Sequence, residues 1–169
     1  PAFAIRTRPR RVFTIEDYIE SGILTTKGDA RNRLAERMSF RDSLEGKSHG
    51  EILKIAIQER KNVLIVGSTG SGKTTLVNAC LDLIRRYCPR DRVISIVATV
   101  HANDSMSGLI RLQSLVAEAT QATQQDLIGA AIDVVVFIDE DLDHIAGRKV
   151  REIMLVNGFR EGAYQCDYV

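Results

Sequence analysis

An α/β fold, with helices around a mainly parallel sheet and an antiparallel meander at the C-terminal end, is predicted for this chain by three observations. Residues 63–66, Val-Leu-Ile-Val, form a short continuous apolar run, the pattern of a strand covered on both faces. A glycine-rich turn follows, and then Leu76, Val77, Cys80, Leu83, Ile84 and Tyr87 recur at helical spacing. Three strand-like segments, 133–138, 149–156 and 163–168, close the chain with turn residues between them.

The turn after the first strand carries the chemistry. Gly67-Ser68-Thr69-Gly70-Ser71-Gly72-Lys73-Thr74 matches G-x-x-x-x-G-K-[ST] at every fixed position, and it lies between a strand and a helix, as a phosphate-binding loop must. Its glycines let successive N–H groups turn inward around a polyphosphate, and the first helical turn, with Thr75, adds unpaired donors and a positive dipole end. Lys73 places a point charge on the β- and γ-phosphates, and the Thr74 hydroxyl offers a coordination position to Mg²⁺. ATP with Mg²⁺ is the ligand this pattern implies. Arg85 and Arg86 suit the carbonyl end of the helix, which Cys88-Pro89 terminates.

The composition fits one main domain with its own core: 169 residues, 44% hydrophobic and 27% charged. A net charge of +1 gives no global attraction for nucleic acid or membrane, and no sequence-specific nucleic-acid partner is expected. Cys80, Cys88 and Cys166 are odd in number and irregularly spaced, which argues for free thiols over zinc ligation or a disulfide framework. No apolar run reaches membrane-spanning length and no signal peptide is visible, so a cytoplasmic location is the expectation.

Along the chain, 1–11 alternates apolar and basic residues and reads as a solvated linker leaving a strand. Thr14 and Asp17 have capping-box spacing for a short helix that Ser21-Gly22 stops. Residues 28–45 read as a surface helix with Leu34, Met38 and Leu44 as a thin apolar stripe. Ser48 and Glu51 form a second capping box, and Ile52, Ile55 and Ala56 give the next helix an apolar face; His49, at the cap, is expected to be solvent-exposed and not a metal ligand.

Residues 93–100 read as another buried strand, leading to His101-Ala102-Asn103-Asp104. Asp104-Ser105 is expected to cap a helix carrying Leu109, Leu112, Leu115 and Val116, and Thr123 to start one with Leu127, Ile128, Ala131 and Ile132. In the meander, Asp139-Glu140-Asp141, Gly147 and Asn157-Gly158 read as turns.

The chain resembles the ATPases of type IV secretion and conjugation, and within them the TrbB-type conjugal transfer ATPases. The residues that carry the resemblance are 2–6 (Ala-Phe-Ala-Ile-Arg), 12–18 (Val-Phe-Thr-Ile-Glu-Asp-Tyr), 21–23, 60–66, the phosphate loop, 98–103 (Ala-Thr-Val-His-Ala-Asn), 133–138 and 147–153. The resemblance implies a RecA-like P-loop core that assembles as a homo-hexamer on the cytoplasmic face of the inner membrane, contacts other secretion proteins, and drives pilus assembly and export with ATP. It also implies that His101 belongs to a histidine box near the γ-phosphate and is catalytic together with Lys73.

By the same resemblance, residues 1–22 are a linker and short helix that follow an N-terminal domain, and 23–169 are the ATPase domain, with the stretch from Leu24 to Gln58 longer than its counterpart. An acidic box and a Walker B strand are expected between residues 96 and 97, where the chain runs directly from one motif to the next, so the central strands are missing from the sequence. Residues 134–140 match a Walker B pattern, in which Asp139 would lie near Mg²⁺ and Glu140 would polarise water. The resemblance instead makes 133–138 the first strand of a hairpin and gives Asp139, Glu140, Asp141 and Asp143 to its solvated turn.

Three functions follow. The leading one is an ATP-hydrolysing motor subunit; the second is a nucleotide-binding assembly module without hydrolysis, because the water-orienting residue is not evident. A small-molecule phosphotransferase is weaker, since neither an acceptor pocket nor a lid can be identified.

Overall fold

The structure, a computed structural model, describes residues 14–22, 33–91, 101–120, 122 and 124–169. The predicted strand over 93–100, the linker over 1–11, the junction near 96–97 and the cap at Thr123 lie outside the described residues. The chain divides into two compact units, Pro1–Arg33 and Leu34–Val169.

In the first unit, α1 spans Ile15–Glu20, and Thr14 and Asp17 form the expected reciprocal capping box. From α2 (Arg33–Ser43), whose first residue marks the boundary, the second unit continues with α3 (His49–Gln58), β1 (Val63–Val66), α4 (Lys73–Tyr87), α5 (Ser105–Thr120), α6 (Gln125–Ala131), β2 (Val134–Glu140), β3 (Arg148–Arg160) and β4 (Ala163–Tyr168). Among the described residues the sheet has four strands in the order β1-β2-β3-β4, with β1 and β2 parallel and the rest an antiparallel meander.

The side-chain period of two divides β2 and β3 between two cores. Val134, Val136, Ile153 and Leu155 face α3 through Ile52, Leu53 and Ala56, with Phe40 and Leu44 from the α2 region. Val135, Phe137, Met154 and Val156 face Leu109 of α5 and Ile128 of α6. Helices thus cover both faces, and β2, buried from Val134 to Ile138, is a central strand.

Several expectations need correction. The α2 helix is not merely superficial: Phe40 and Leu44, one turn apart, reach the core, while Met38 is 59% exposed. Arg37 donates to the carbonyls of Gly129 and Ala130 at the end of α6, which also anchors this helix. His49 is half-buried, not exposed. The α6 N-cap is Gln124, without a side-chain hydrogen bond, and Leu127 is exposed while Ile128 is buried.

Asn157-Gly158 is not a turn. It is an irregularity inside the long β3, where the register with β4 shifts between Val156 and Gly158. The hairpin reverses instead at Glu161-Gly162, where both residues have positive φ as a two-residue turn requires. Asp139 and Glu140 are also not turn residues; they complete β2, paired with Lys149 and Arg148.

Candidate functional site

The site forms where β1 ends. Val63↔Val134 through Val66↔Phe137 pair in parallel, and continuing that register sets Gly67 beside Ile138 and Ser68 beside Asp139. Gly67 has φ +155, and a Cβ there would lie 3.1 Å from the Ile138 carbonyl carbon and closer still to its oxygen, so only glycine fits between the two strand ends. The chain then turns through Gly70 and Gly72, both at positive φ, and Gly72 is the N-cap of α4 with no side-chain cap. The first N–H groups of α4 are left to a ligand.

The loop is braced from inside. Ser71 is fully buried and its hydroxyl donates to the Ser68 carbonyl at 2.9 Å. Lys73, half-buried, folds its ammonium back to the carbonyls of Gly67 (2.9 Å) and Ser68 (2.5 Å). That places the cation within the curve of the loop, where a polyphosphate needs it. Thr74 and Thr75 are exposed on the first turn of α4.

On one side of the loop, His101 lies against it, with Nδ1 3.2 Å from the Thr69 hydroxyl. A cavity of about 500 Å³ opens here, lined by Ser68, Thr69, His101, Asn103 and Arg111 among others. Asp104 caps α5 by accepting from Ser107 N–H at 2.7 Å, and Glu152 of β3 accepts from Ser105 N–H at 3.0 Å, which fixes the start of α5 to the sheet. His101 precedes this anchored helix start.

On the other side stands the end of the β2–β3 hairpin. The Ser68 hydroxyl donates to Asp139 Oδ1 at 2.5 Å. This hydrogen bond holds the Asp139 carboxyl below the usual carboxylate range, with the Glu140 N–H and the charges of Arg151 and Lys73 acting in the same direction against partial burial. Glu140 and Arg148 reach Gly70 and Gly72: a Cβ on Gly70 would come within 2.8 Å of Glu140 Oε1, and one on Gly72 within 2.7 Å of Arg148 Cδ. The contact of Asp139 with the loop contradicts its assignment to a solvated turn. The apolar run ending in Asp-Glu was the signal; the missing information was that β3 pairs with the strand through Glu140 and that Ser68 of the loop lies beside Asp139.

The residues present fit a magnesium-bound polyphosphate. The curved backbone, the Lys73 ammonium and the uncapped start of α4 supply positive charge and donors. Among the described residues no group of three His, Cys, Asp or Glu could hold a metal by itself. A metal that enters already bound to phosphate oxygens needs only one or two protein ligands, such as Thr74.

Strand β1 is half-buried at the edge of the described sheet, only Val66 being fully buried, and not covered along its length as the apolar run predicts; a glycine-rich loop joining such a strand to a helix in a layered α/β sheet defines a P-loop nucleotide-binding fold. The chain belongs to the AAA domain family, whose model matches residues 50–154. It is 26% identical to conjugal transfer protein TrbB of Rhizobium radiobacter, in a match that covers 99% of this chain and 64% of the relative. That alignment runs over 231 positions, more than the chain has residues, so the relative carries residues without counterpart here. VirB11 of the Bartonella quintana type IV secretion system is 32% identical over 58% of this chain and 30% of its own length.

Among solved structures, the VirB11 ATPase of the Brucella suis type IV secretion system, crystallised with sulphate, superposes with a TM-score of 0.60 at 16% identity, covering 88% of this chain and 66% of that one. This similarity supports the P-loop α/β fold. The chain spans 64% of the length of the TrbB relative.

Proposed function

We propose that this chain is the ATP-binding and hydrolysing core of a motor subunit that powers a type IV secretion or conjugation apparatus. The observation that carries the reading is the loop itself, with Lys73 curled into it, His101 against Thr69, and relatives named for conjugal transfer and type IV secretion. The resemblance supports a homo-hexamer at the inner-membrane surface that works with other secretion proteins. No helix among the described residues is long and apolar enough to cross a membrane, which suits peripheral attachment.

In this reading, ATP with Mg²⁺ supplies the phosphoanhydride whose hydrolysis drives the motor. Lys73 and the loop N–H groups neutralise charge on the β- and γ-phosphates, Gly67, Gly70 and Gly72 let the backbone approach them, and Thr74 holds the metal. Ser68, Thr69, Ser71 and Thr75 complete the cradle. His101, at 3.2 Å from Thr69, orients the γ-phosphate side of the loop.

Phosphate release from MgATP by the purified chain tests this directly. Turnover that disappears in Lys73→Ala supports the motor reading. Saturable binding without phosphate release would turn the assignment to the non-hydrolysing module.

A further inference from the structure

We propose that Asp139 is a positioning residue of the phosphate loop, acting through the Ser68 hydroxyl to hold the loop open for nucleotide. The inference deepens the nucleotide-binding reading and rests on it. Four observations converge. The parallel register of β1 with β2 brings Asp139 to the level of Ser68. Their side chains meet at 2.5 Å, with the hydroxyl donating. Arg151, on β3, adds its charge to the same carboxyl, and itself bonds the Glu140 carbonyl at 3.4 Å and pairs with Asp141 at 3.4 Å. The same hairpin end touches the loop at Gly70 through Glu140 and at Gly72 through Arg148.

One hairpin therefore meets the loop at Gly67, Ser68, Gly70 and Gly72. Strand β2 is buried along 134–138, paired with β1 through Phe137 and with β3 through Glu140, so Asp139 and Glu140 are held by their partners Lys149 and Arg148. A mobile loop must lose entropy when it closes on phosphate; a loop already tied to a strand end has lost it beforehand. Ser68 is also where Lys73 and Ser71 converge, since both donate to its carbonyl. Fixing the Ser68 side chain thus fixes the residue that orients the loop cation.

The test is a titration of the full chain with a fluorescent ATP analogue and Mg²⁺, alongside thermal melts, for Ser68→Ala, Asp139→Ala, Asp139→Asn and the Ser68→Ala/Asp139→Ala double variant. A charge-assisted hydrogen bond of this kind corresponds to roughly tenfold in affinity. Each alanine variant is expected to weaken binding about tenfold and the double variant no further, because both remove the same bond. Asp139→Asn, whose amide oxygen still accepts, is expected to recover most of the affinity.

Wild-type affinity in Asp139→Ala, or single losses that multiply in the double variant, would overturn the proposal. Ser68→Ala, which leaves β2 intact, keeps the test open if Asp139→Ala melts early. Absence of binding by the wild-type chain, or equal binding by Lys73→Ala, would refute the nucleotide reading instead, so the two failures are distinguishable.

Discussion

Replacing Gly67 by alanine couples the packing of the sheet to the site. The added methyl would lie 2.9 Å from Ser71 Oγ and 3.1 Å from the Ile138 carbonyl carbon, with the carbonyl oxygen nearer still. Neither neighbour can retreat easily: Ser71 is fully buried, and Ile138 is buried and paired with Val150 of β3. Overpacking of this sort costs about 1–3 kcal/mol, and the φ of +155 adds about 1–3 kcal/mol for a residue with a Cβ. A sum near ~4 kcal/mol corresponds to a fall of about 10 °C in melting temperature for a domain of this size. The control is Gly147→Ala, where φ is +66 but nothing lies within 4 Å; conformational strain alone, about 1 kcal/mol, is expected there. Circular-dichroism melts of both variants measure the difference. A Gly67→Ala protein that melts no lower than Gly147→Ala would refute the close approach of the two strand ends.

Three further outcomes follow from the geometry. Glu161 sits at φ 53 in the β3–β4 turn, so Glu161→Gly is expected to raise stability by about 1 kcal/mol in chemical denaturation, and a decrease would count against the turn. Burial pushes the Cys166 thiol up to about 11, with Asp167 adding to the shift; iodoacetamide should therefore label it at pH 8 about a hundredfold more slowly than free cysteine, which labelling time courses with mass spectrometry can check. Asp104 is held below its ordinary carboxylate range by hydrogen bonds from Ser107, so the stability it contributes is full above the unfolded value near ~4 and is lost as pH falls through the lower folded value. Melting temperatures of wild type and Asp104→Asn should converge as pH drops from 6 to 3, and a constant gap would contradict the cap.

Much of this was legible because local physics determined it. The capping boxes at Thr14 and Ser48 need only a hydroxyl and a carboxylate three residues apart, and both formed. The strand–loop–helix unit around Lys73 followed from apolar run, glycines and helical spacing within one short stretch. What failed depended on partners distant in sequence. Asp139 ends a strand because Lys149 and Arg148 of β3 pair with it and with Glu140, and its carboxylate meets the loop only because Ser68, 71 residues earlier, comes to the same level. Asn157-Gly158 has the composition of a hairpin turn, but β4 pairs with β3 on both sides of it, Cys166 with Val156 and Gln165 with Gly158, and keeps the strand extended. Leu44 was in the expected stripe, but Phe40 was hidden in a stretch rich in Arg and Glu and Met38 is exposed, because only the packed sheet reveals which face of α2 is inward.

Isothermal titration of the full chain with MgATP, in parallel with Lys73→Ala, bears most directly on whether the loop is a working nucleotide site. Saturable binding of one ATP per chain, abolished by Lys73→Ala, is the expected result. Heat that is absent from the wild type, or unchanged in the variant, would contradict the assignment of the loop to ATP.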